Sequence, residues 1–161
     1  MIWYHGGNEQ LNFNGTNLKG SHSVNTGLWL TDNFDAAVSY MHKPNPCVAE
    51  IKVKNLNKTL TVDFKGKSWS SLPELSEEFK SCKITDDLVR KAKSLGYDSL
   101  IFKNCKDAKG AFYGWNDKKF DLEKALKPST TLVVTRPDQI AIVGKYSPEE
   151  LKNIRESYFD Y

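Results

Sequence analysis

The sequence predicts an α+β fold built on a mostly antiparallel sheet. Segments with the two-residue alternation or turn boundaries of strands outnumber segments with helical periodicity. The two kinds of segment do not alternate regularly, as they would in a doubly wound fold. Neither a G-x-G-x-x-G motif nor a Walker loop is present. The 161 residues are expected to form one domain, 1–161.

Seven short segments have the character of β-strands. The first, IWYH at 2–5, is expected to end at Gly6 and Gly7, because glycine is typical of turns. CVAEIKVKN at 47–55 alternates apolar and polar residues, the period of a half-buried strand. The last two strands are joined by the turn residues RPD. In chain order the predicted strands are 2–5, 27–30, 47–55, 60–64, 98–102, 131–135 and 139–146.

Four segments are predicted to be helical, each from a capping residue at its start. In TDNFDAAVSYM, Thr31 or Asp32 can cap the free amides. TDDLVRKAKSLG begins with a threonine cap and acidic residues and stops at Gly96. SPEELKNIRESYF begins with a capping box formed by Ser147 and Glu150. In chain order the predicted helices are 31–41, 71–82, 85–96 and 147–159, with irregular loops at 8–26 and 103–120.

Composition excludes several classes of function. A net charge of +3 is too small to indicate a nucleic-acid-binding stripe by itself. Three cysteines without paired spacing and histidines at 5, 22 and 42 do not predict a disulfide framework or a metal site. No apolar run approaches 18 residues, and the amino terminus lacks the pattern of a signal peptide. The expected location is the cytoplasm, or a host cytoplasm for a delivered factor, with no membrane partner.

Three phrases of the sequence together resemble a known family. WYHGG, GLWLTDNFDAAVSY and TTLVVTRPDQI are similar, in order and spacing, to the three signature strands of the diphtheria-toxin-like and poly(ADP-ribose)-polymerase-like (His-Tyr-Glu) ADP-ribosyltransferases. VAEIKVKN and SLGYDSLIF are similar to phrases of small phage and bacterial members. The resemblance covers roughly 2–64 and 85–145. It implies split antiparallel sheets around an NAD cleft, with flanking helices.

The resemblance also implies roles for four residues around NAD. His5 would hold a ribose hydroxyl, and the backbone of Gly6 would bind the nicotinamide carboxamide. Trp29 occupies the position of a tyrosine that faces the nicotinamide, and Tyr40, eleven residues later, would stack on the other side of the ring. Two aromatic rings would suit a cationic pyridine ring, because stacking and cation–π attraction both favour it.

The chain departs from the family at the third catalytic position. The family's glutamate lies eight residues before the glutamine of the closing phrase, and counting back from Gln139 gives Thr131. The catalytic trio is therefore His5, Trp29 and Thr131. A threonine brings no charge, and losing one charged transition-state contact costs about two to three orders of magnitude in rate. Asp121 and Glu123 lie close in sequence and could take the place of the missing glutamate.

The leading hypothesis is an NAD-dependent mono-ADP-ribosyltransferase that modifies a macromolecule, most simply a host protein, and releases nicotinamide. One alternative is a weakly active or inactive module of the same fold that binds NAD, ADP-ribose or a partner. Another is a nucleic-acid-directed transferase, because the loop at 103–120 mixes lysines with stacking aromatics. Without the resemblance, His5, Trp29 and Tyr40 are ordinary core residues, Gly6 is a turn residue and Thr131 is a strand former.

Overall fold

A computed structural model describes residues 1–8, 11, 27–41, 45–107 and 127–150. The strands are β1 (Trp3–Asn8), β2 (Leu28–Thr31), β3 (Pro46–Val53), β4 (Thr59–Asp63), β5 (Ser99–Cys105), β6 (Ser129–Val134) and β7 (Ile140–Tyr146). They form one seven-stranded sheet in the order β4-β5-β6-β2-β1-β3-β7. Of the strand pairs in the described ranges, only β4 and β5 run parallel. The prediction of an α+β fold with a mostly antiparallel sheet is confirmed.

The sheet is weakly joined in its middle. β1 pairs with β2 at a single register position, Tyr4 opposite Thr31, which we name the β1–β2 joint. On either side of the joint, β1 pairs with β3 at six positions and β2 pairs with β6 at four. The sheet therefore consists of two more extensively paired groups of strands, β4-β5-β6-β2 and β1-β3-β7, that meet at the joint.

Among the residues that the structure describes, the helices are shorter than the sequence predicted, and one predicted helix is missing. They are α1 (Phe34–Ser39) and α2 (Thr85–Ser94), with 3₁₀ turns at Glu77–Phe79 and Pro137–Gln139. The helix predicted at 71–82 is wrong apart from its 3₁₀ turn. Only Pro73 and Phe79 of this segment are buried, so it lacks the continuous apolar face that stabilises a helix in a protein. No helix in the described ranges is both long and apolar enough to cross a membrane.

The predicted caps of α1 and α2 are wrong in detail. Thr31 still belongs to β2, so α1 begins later and Asn33 caps it by accepting a hydrogen bond from the Ala36 amide (3.2 Å). At α2 the N-cap residue is Ile84, and Thr85 is already helical. The Asp87 carboxylate, in the first turn, accepts the amide of Ile84 (3.3 Å). Gly96 does follow the end of α2, with a φ of 89° that favours glycine.

The carboxyl-terminal capping box is confirmed in part. The Ser147 hydroxyl accepts the amide of Glu150 (3.3 Å), and residues 148–150 are helical. The rest of the predicted helix, 151–159, lies outside the described residues.

One face of the sheet carries both α-helices. Tyr4, Thr31, Thr131 and Phe102 lie opposite one another on four adjacent strands, so their side chains share this face. A large core cluster joins α2 to β5 and β6, and a small one joins α1 to β3. The opposite face has its own core, made of Trp3, Leu28, Leu30, Ala49, Ile51, Leu132 and Val134. We name the first face the helical face.

Candidate functional site

An irregularity in β5 directs an acidic residue into the core. Phe102 lies opposite Thr131, but Cys105 lies opposite Ser129, so β5 holds one more residue than β6 in this interval. Such a β-bulge shifts the alternation of side chains by one. Asn104, in the left-handed conformation with a φ of 50°, lies within the bulge. After it, Cys105 and Asp107 point to the helical face, where unbroken alternation would have placed Asn104 and Lys106.

Asp107 is a buried carboxylate held by two hydroxyl groups. Its Oδ2 accepts a hydrogen bond from Thr131 Oγ1 (2.7 Å), and its Oδ1 accepts one from the Tyr40 hydroxyl (2.9 Å). The residue is only 5% exposed. Burial raises the pKa of Asp107 from 3.8 to about 6, against the two hydrogen bonds, which favour the charged form. Two residues predicted for the site, Tyr40 and Thr131, therefore meet at a carboxylate that the sequence did not predict to be there.

Tyr40 lies at the end of α1 and reaches across to the other group of strands. Its hydroxyl is deeply buried, while the residue as a whole is half-buried. Burial, followed by the charge and the hydrogen bond of Asp107, raises the pKa of Tyr40 well above its ordinary value. The Trp69 side chain also hydrogen-bonds this hydroxyl. Tyr40 is thus fixed at its polar end and partly accessible elsewhere.

Trp29 is linked to Tyr40 through Trp69. The Trp29 and Trp69 rings meet edge to face, with centroids 6.3 Å apart, and Trp29 packs on Phe102 at 5.5 Å. Trp29 is half-buried on the helical face, opposite Val133. The two rings expected to form a slot therefore belong to one aromatic cluster, and the third member of the cluster, Trp69, was not anticipated.

His5 is attached to the site through the main chain. Its Nδ1 donates a hydrogen bond to the Trp29 carbonyl oxygen (2.7 Å) and so connects β1 to β2 near the joint. A carbonyl can only accept, so Nδ1 carries a proton in this contact. Alternation along β1 places His5 on the opposite face of the strand from Tyr4 and Gly6. His5 thus borders the joint, whereas Trp29, Tyr40 and Thr131 lie on the helical face.

Gly6 has a packing role that differs from the predicted turn. It lies within β1, opposite Val48, so the expectation that the strand ends at Gly6 is wrong. A Cβ atom at Gly6 would lie 1.6 Å from the Ala37 carbonyl oxygen. Only glycine therefore allows α1 to pack this closely on β1, and this contact brings the end of α1, with Tyr40, over the joint.

Thr131 is fully buried, at 0% exposure. Its hydroxyl donates to Asp107 inside the core, so no ligand touches it in this arrangement. Gln139, from which Thr131 was located, is also fully buried. Its side chain accepts the amides of Thr135 and Arg136 (2.8 and 2.9 Å) and donates to the Asp98 carbonyl (2.9 Å), which makes it a structural residue of the turn before β7.

The loop predicted at 103–120 begins later than expected. Residues 103–105 belong to β5, and Cys105 and Asp107 are buried, because the bulge directs them inward. Burial and the nearby Asp107 raise the pKa of the Cys105 thiol far above its ordinary value, so Cys105 is not an activated nucleophile. Residues 108–120, Asp121, Glu123, His22 and His42 lie outside the described residues.

Sequence reasoning therefore located Trp29, Tyr40 and Thr131 in one connected cluster and missed two of its members, Trp69 and Asp107. Neither Trp69 nor Asp107 lies in one of the sequence phrases that marked the predicted site residues. Within the described parts of the chain, no group of three or more potential metal ligands occurs. No model of a known protein family matches this chain, and no curated protein matches its sequence.

Proposed function

We propose that this protein is an NAD-dependent mono-ADP-ribosyltransferase that modifies a macromolecule, most simply a host protein. The observation that carries the proposal is the cluster at the β1–β2 joint. Trp29, Tyr40 and Thr131, which the resemblance selects from distant parts of the sequence, are connected there through Trp69 and Asp107. The pairing of β1 with β2 at a single register position supports the split sheet that the resemblance implies.

The residues at the joint suit a flat, cationic ring. Trp29 and Tyr40 are half-buried aromatics, as stacking on a ligand requires. The hydroxyl of Tyr40 donates a hydrogen bond to the Asp107 carboxylate. His5 has its Nδ1 proton fixed by the Trp29 carbonyl, so its other nitrogen is the one suited to a ribose hydroxyl. The half-burial of Trp29 and Tyr40 supports the stacking roles that the resemblance assigns to them, whereas His5 lies on the opposite face of β1 from the helical face.

The reaction needs little acid–base chemistry. The bond between ribose C1′ and the nicotinamide nitrogen breaks, and its electron pair leaves with nicotinamide, which departs neutral. A nucleophile of the acceptor then bonds to C1′ and loses its proton to solvent. Positive charge develops on the ribose in between, so fixing the ribose and placing negative charge nearby are the main contributions of the protein.

A second candidate function is a module that binds NAD or ADP-ribose without efficient transfer. The burial of Thr131 and its bond to Asp107 favour this alternative, because no carboxylate occupies position 131 to contact the ribose. Calorimetry with NAD, combined with an assay for nicotinamide release, separates the two. Binding with release supports the transferase, and binding without release supports the module.

The test of the transferase uses NAD labelled in its ADP-ribose part and a host lysate. We expect the wild-type protein to label a macromolecule and His5→Ala to reduce labelling by about 10²-fold or more, because a ribose contact is lost. His42→Ala, the same change where the resemblance assigns no role, is the matched control. Digestion of the product by protease or nuclease identifies the acceptor class. Equal labelling by His5→Ala would contradict the proposal.

A further inference from the structure

The contact between Asp107 and Tyr40 has a chemical consequence for a ligand at this site. The Tyr40 hydroxyl donates to a carboxylate (2.9 Å) inside the core, where solvent screens the charge little. A phenol that donates to an anion has a more electron-rich ring, and cation–π attraction grows with the negative potential of the ring face. Tyr40 is half-buried, and where its ring meets a ligand it therefore favours a cation over a neutral ring of the same shape.

The carboxylate is also held firmly in place. Thr131 Oγ1 donates to the second oxygen of Asp107 at 2.7 Å, so both oxygens are engaged by donors from different elements, the end of α1 and β6. The bulge at Asn104 fixes the backbone that carries Asp107. This arrangement keeps one negative charge at the hydroxyl of Tyr40 without exposing the carboxylate to the ligand.

We propose that Asp107, acting through Tyr40, is a specificity-determining residue that makes the site select the oxidised pyridinium ring of NAD⁺ over the uncharged ring of NADH. The inference rests on the proposed function for the identity of the ligand, but it concerns binding alone. Asp107 is a positioning residue in this role, because it acts on the ligand only through Tyr40.

The proposal is tested by calorimetric titration of the full chain with NAD⁺ and NADH at pH 8. We expect the wild-type protein to bind NAD⁺ about tenfold more tightly than NADH, the size of a cation–π contribution at a partly buried site. Asp107→Asn and Tyr40→Phe should each lower this ratio severalfold, because the ring that remains attracts a cation less strongly than a phenol that donates to a carboxylate. The double variant should reduce it no further, because both changes interrupt the same contact. Equal affinities in the wild type, or an undiminished preference in Asp107→Asn, would overturn the proposal.

Lowering the pH provides a second readout that a merely structural role would not change. At pH 5 Asp107 is protonated, so the wild-type preference should shrink while that of Asp107→Asn stays constant. The titratable groups facing Asp107 are Tyr40 from the end of α1 and Cys105 from β5, and both have raised pKa values and stay protonated. Histidines are common to both proteins and cancel in the comparison. A preference that is the same at pH 5 and pH 8 would contradict the inference.

Two controls separate the inference from folding and from the proposed function. ADP-ribose, which lacks the pyridine ring, should bind all variants equally, and Asp138→Asn, the same change at an exposed carboxylate, should keep the preference. Nicotinamide release is measured on the same samples. Selective binding without release would refute the transferase and leave the inference standing. Release without selectivity would refute the inference alone, and no binding of either dinucleotide would refute both.

Discussion

Gly6 shows how a single missing side chain can position a whole site. The position directly after His5 has no atom beyond the backbone, and the carbonyl of Ala37 occupies the space where a Cβ atom would lie. The contact lets the last turn of α1 lie on β1, and Tyr40 follows at the end of that turn. The same glycine was expected to bind NAD or to form a turn. Its packing role replaces the turn, and the contact with NAD stays a prediction.

We expect Gly6→Ala to lower the free energy of unfolding by about 3 kcal/mol, because a backbone atom must move to admit the methyl group. Urea unfolding followed by circular dichroism measures the change. Gly66→Ala is the matched control. A Cβ atom there meets nothing within 4 Å, so only its φ of +84° is unfavourable, at about 1 kcal/mol. A Gly6→Ala protein as stable as Gly66→Ala would show that α1 does not pack as described.

The hydroxyls of Tyr40 and Thr131 show that spacing along the sequence can select two residues of a site without revealing the partner they share. Each residue was placed in the site by its spacing from other phrases, and each does lie in the cluster. Their shared partner, Asp107, comes from a segment that read as a solvated loop. A carboxylate is far more often exposed than buried, so composition alone argues against the position that Asp107 occupies.

At the scale of elements, the bulge in β5 decides which side chains enter the helical face. The sequence FKNCKD, if it alternated regularly, would bury Phe102, Asn104 and Lys106. The extra residue buries Cys105 and Asp107 instead. Asn104 is suited to the bulge because asparagine tolerates the left-handed region, and its side chain donates to Asp63 Oδ1 (3.2 Å).

Asn104→Val should destabilise the fold by about 1–2 kcal/mol, because a β-branched residue is disfavoured at a φ of 50°. Asn104→Gly, which loses the same exposed hydrogen bond but accepts the backbone conformation, should stay within about 0.5 kcal/mol of the wild type. Chemical unfolding of both variants measures the difference. Equal losses would mean that the side-chain contact with Asp63, and not the backbone conformation, maintains the bulge.

At the scale of the whole molecule, two buried aspartates make stability depend on pH in opposite directions. The raised pKa of Asp107 gives a contribution that is fully present below pH 3.8 and is lost as the pH rises through about 6. At Asp98, burial opposes ionisation, but amide donors led by Lys58 and Asn57 outweigh it and lower the pKa. The contribution of Asp98 is therefore present at neutral pH and is lost as the pH falls through its lowered pKa.

We expect Asp107→Asn to become more stable relative to the wild type as the pH rises from 4 to 8, with most of the change between pH 4 and 6 and a plateau above about 6. A pKa rise from 3.8 to about 6 corresponds to about 3 kcal/mol. Unfolding free energies of both proteins across this range measure it. Asp98→Asn should give the opposite trend, being least stable relative to the wild type at high pH. A stability difference for Asp107→Asn that does not vary with pH would contradict the description of its site.

The sequence by itself determined the class of fold and the positions of all seven strands, with ends shifted by a few residues. Those features follow from alternation and turn residues, which act between near neighbours along the chain. The helix predicted at 71–82 was wrong because a local pattern does not show how much of a segment the rest of the protein will bury.

Only the tertiary structure decided how the candidate site is assembled. The β1–β2 joint, the bulge that turns Asp107 inward, and the contact of Trp69 with Trp29 and Tyr40 all depend on partners far apart in sequence. Tyr40 and Asp107 are separated by 67 residues, yet one hydrogen bond joins them. A one-residue change of register reverses which side chains are buried, and no local pattern in β5 records that change.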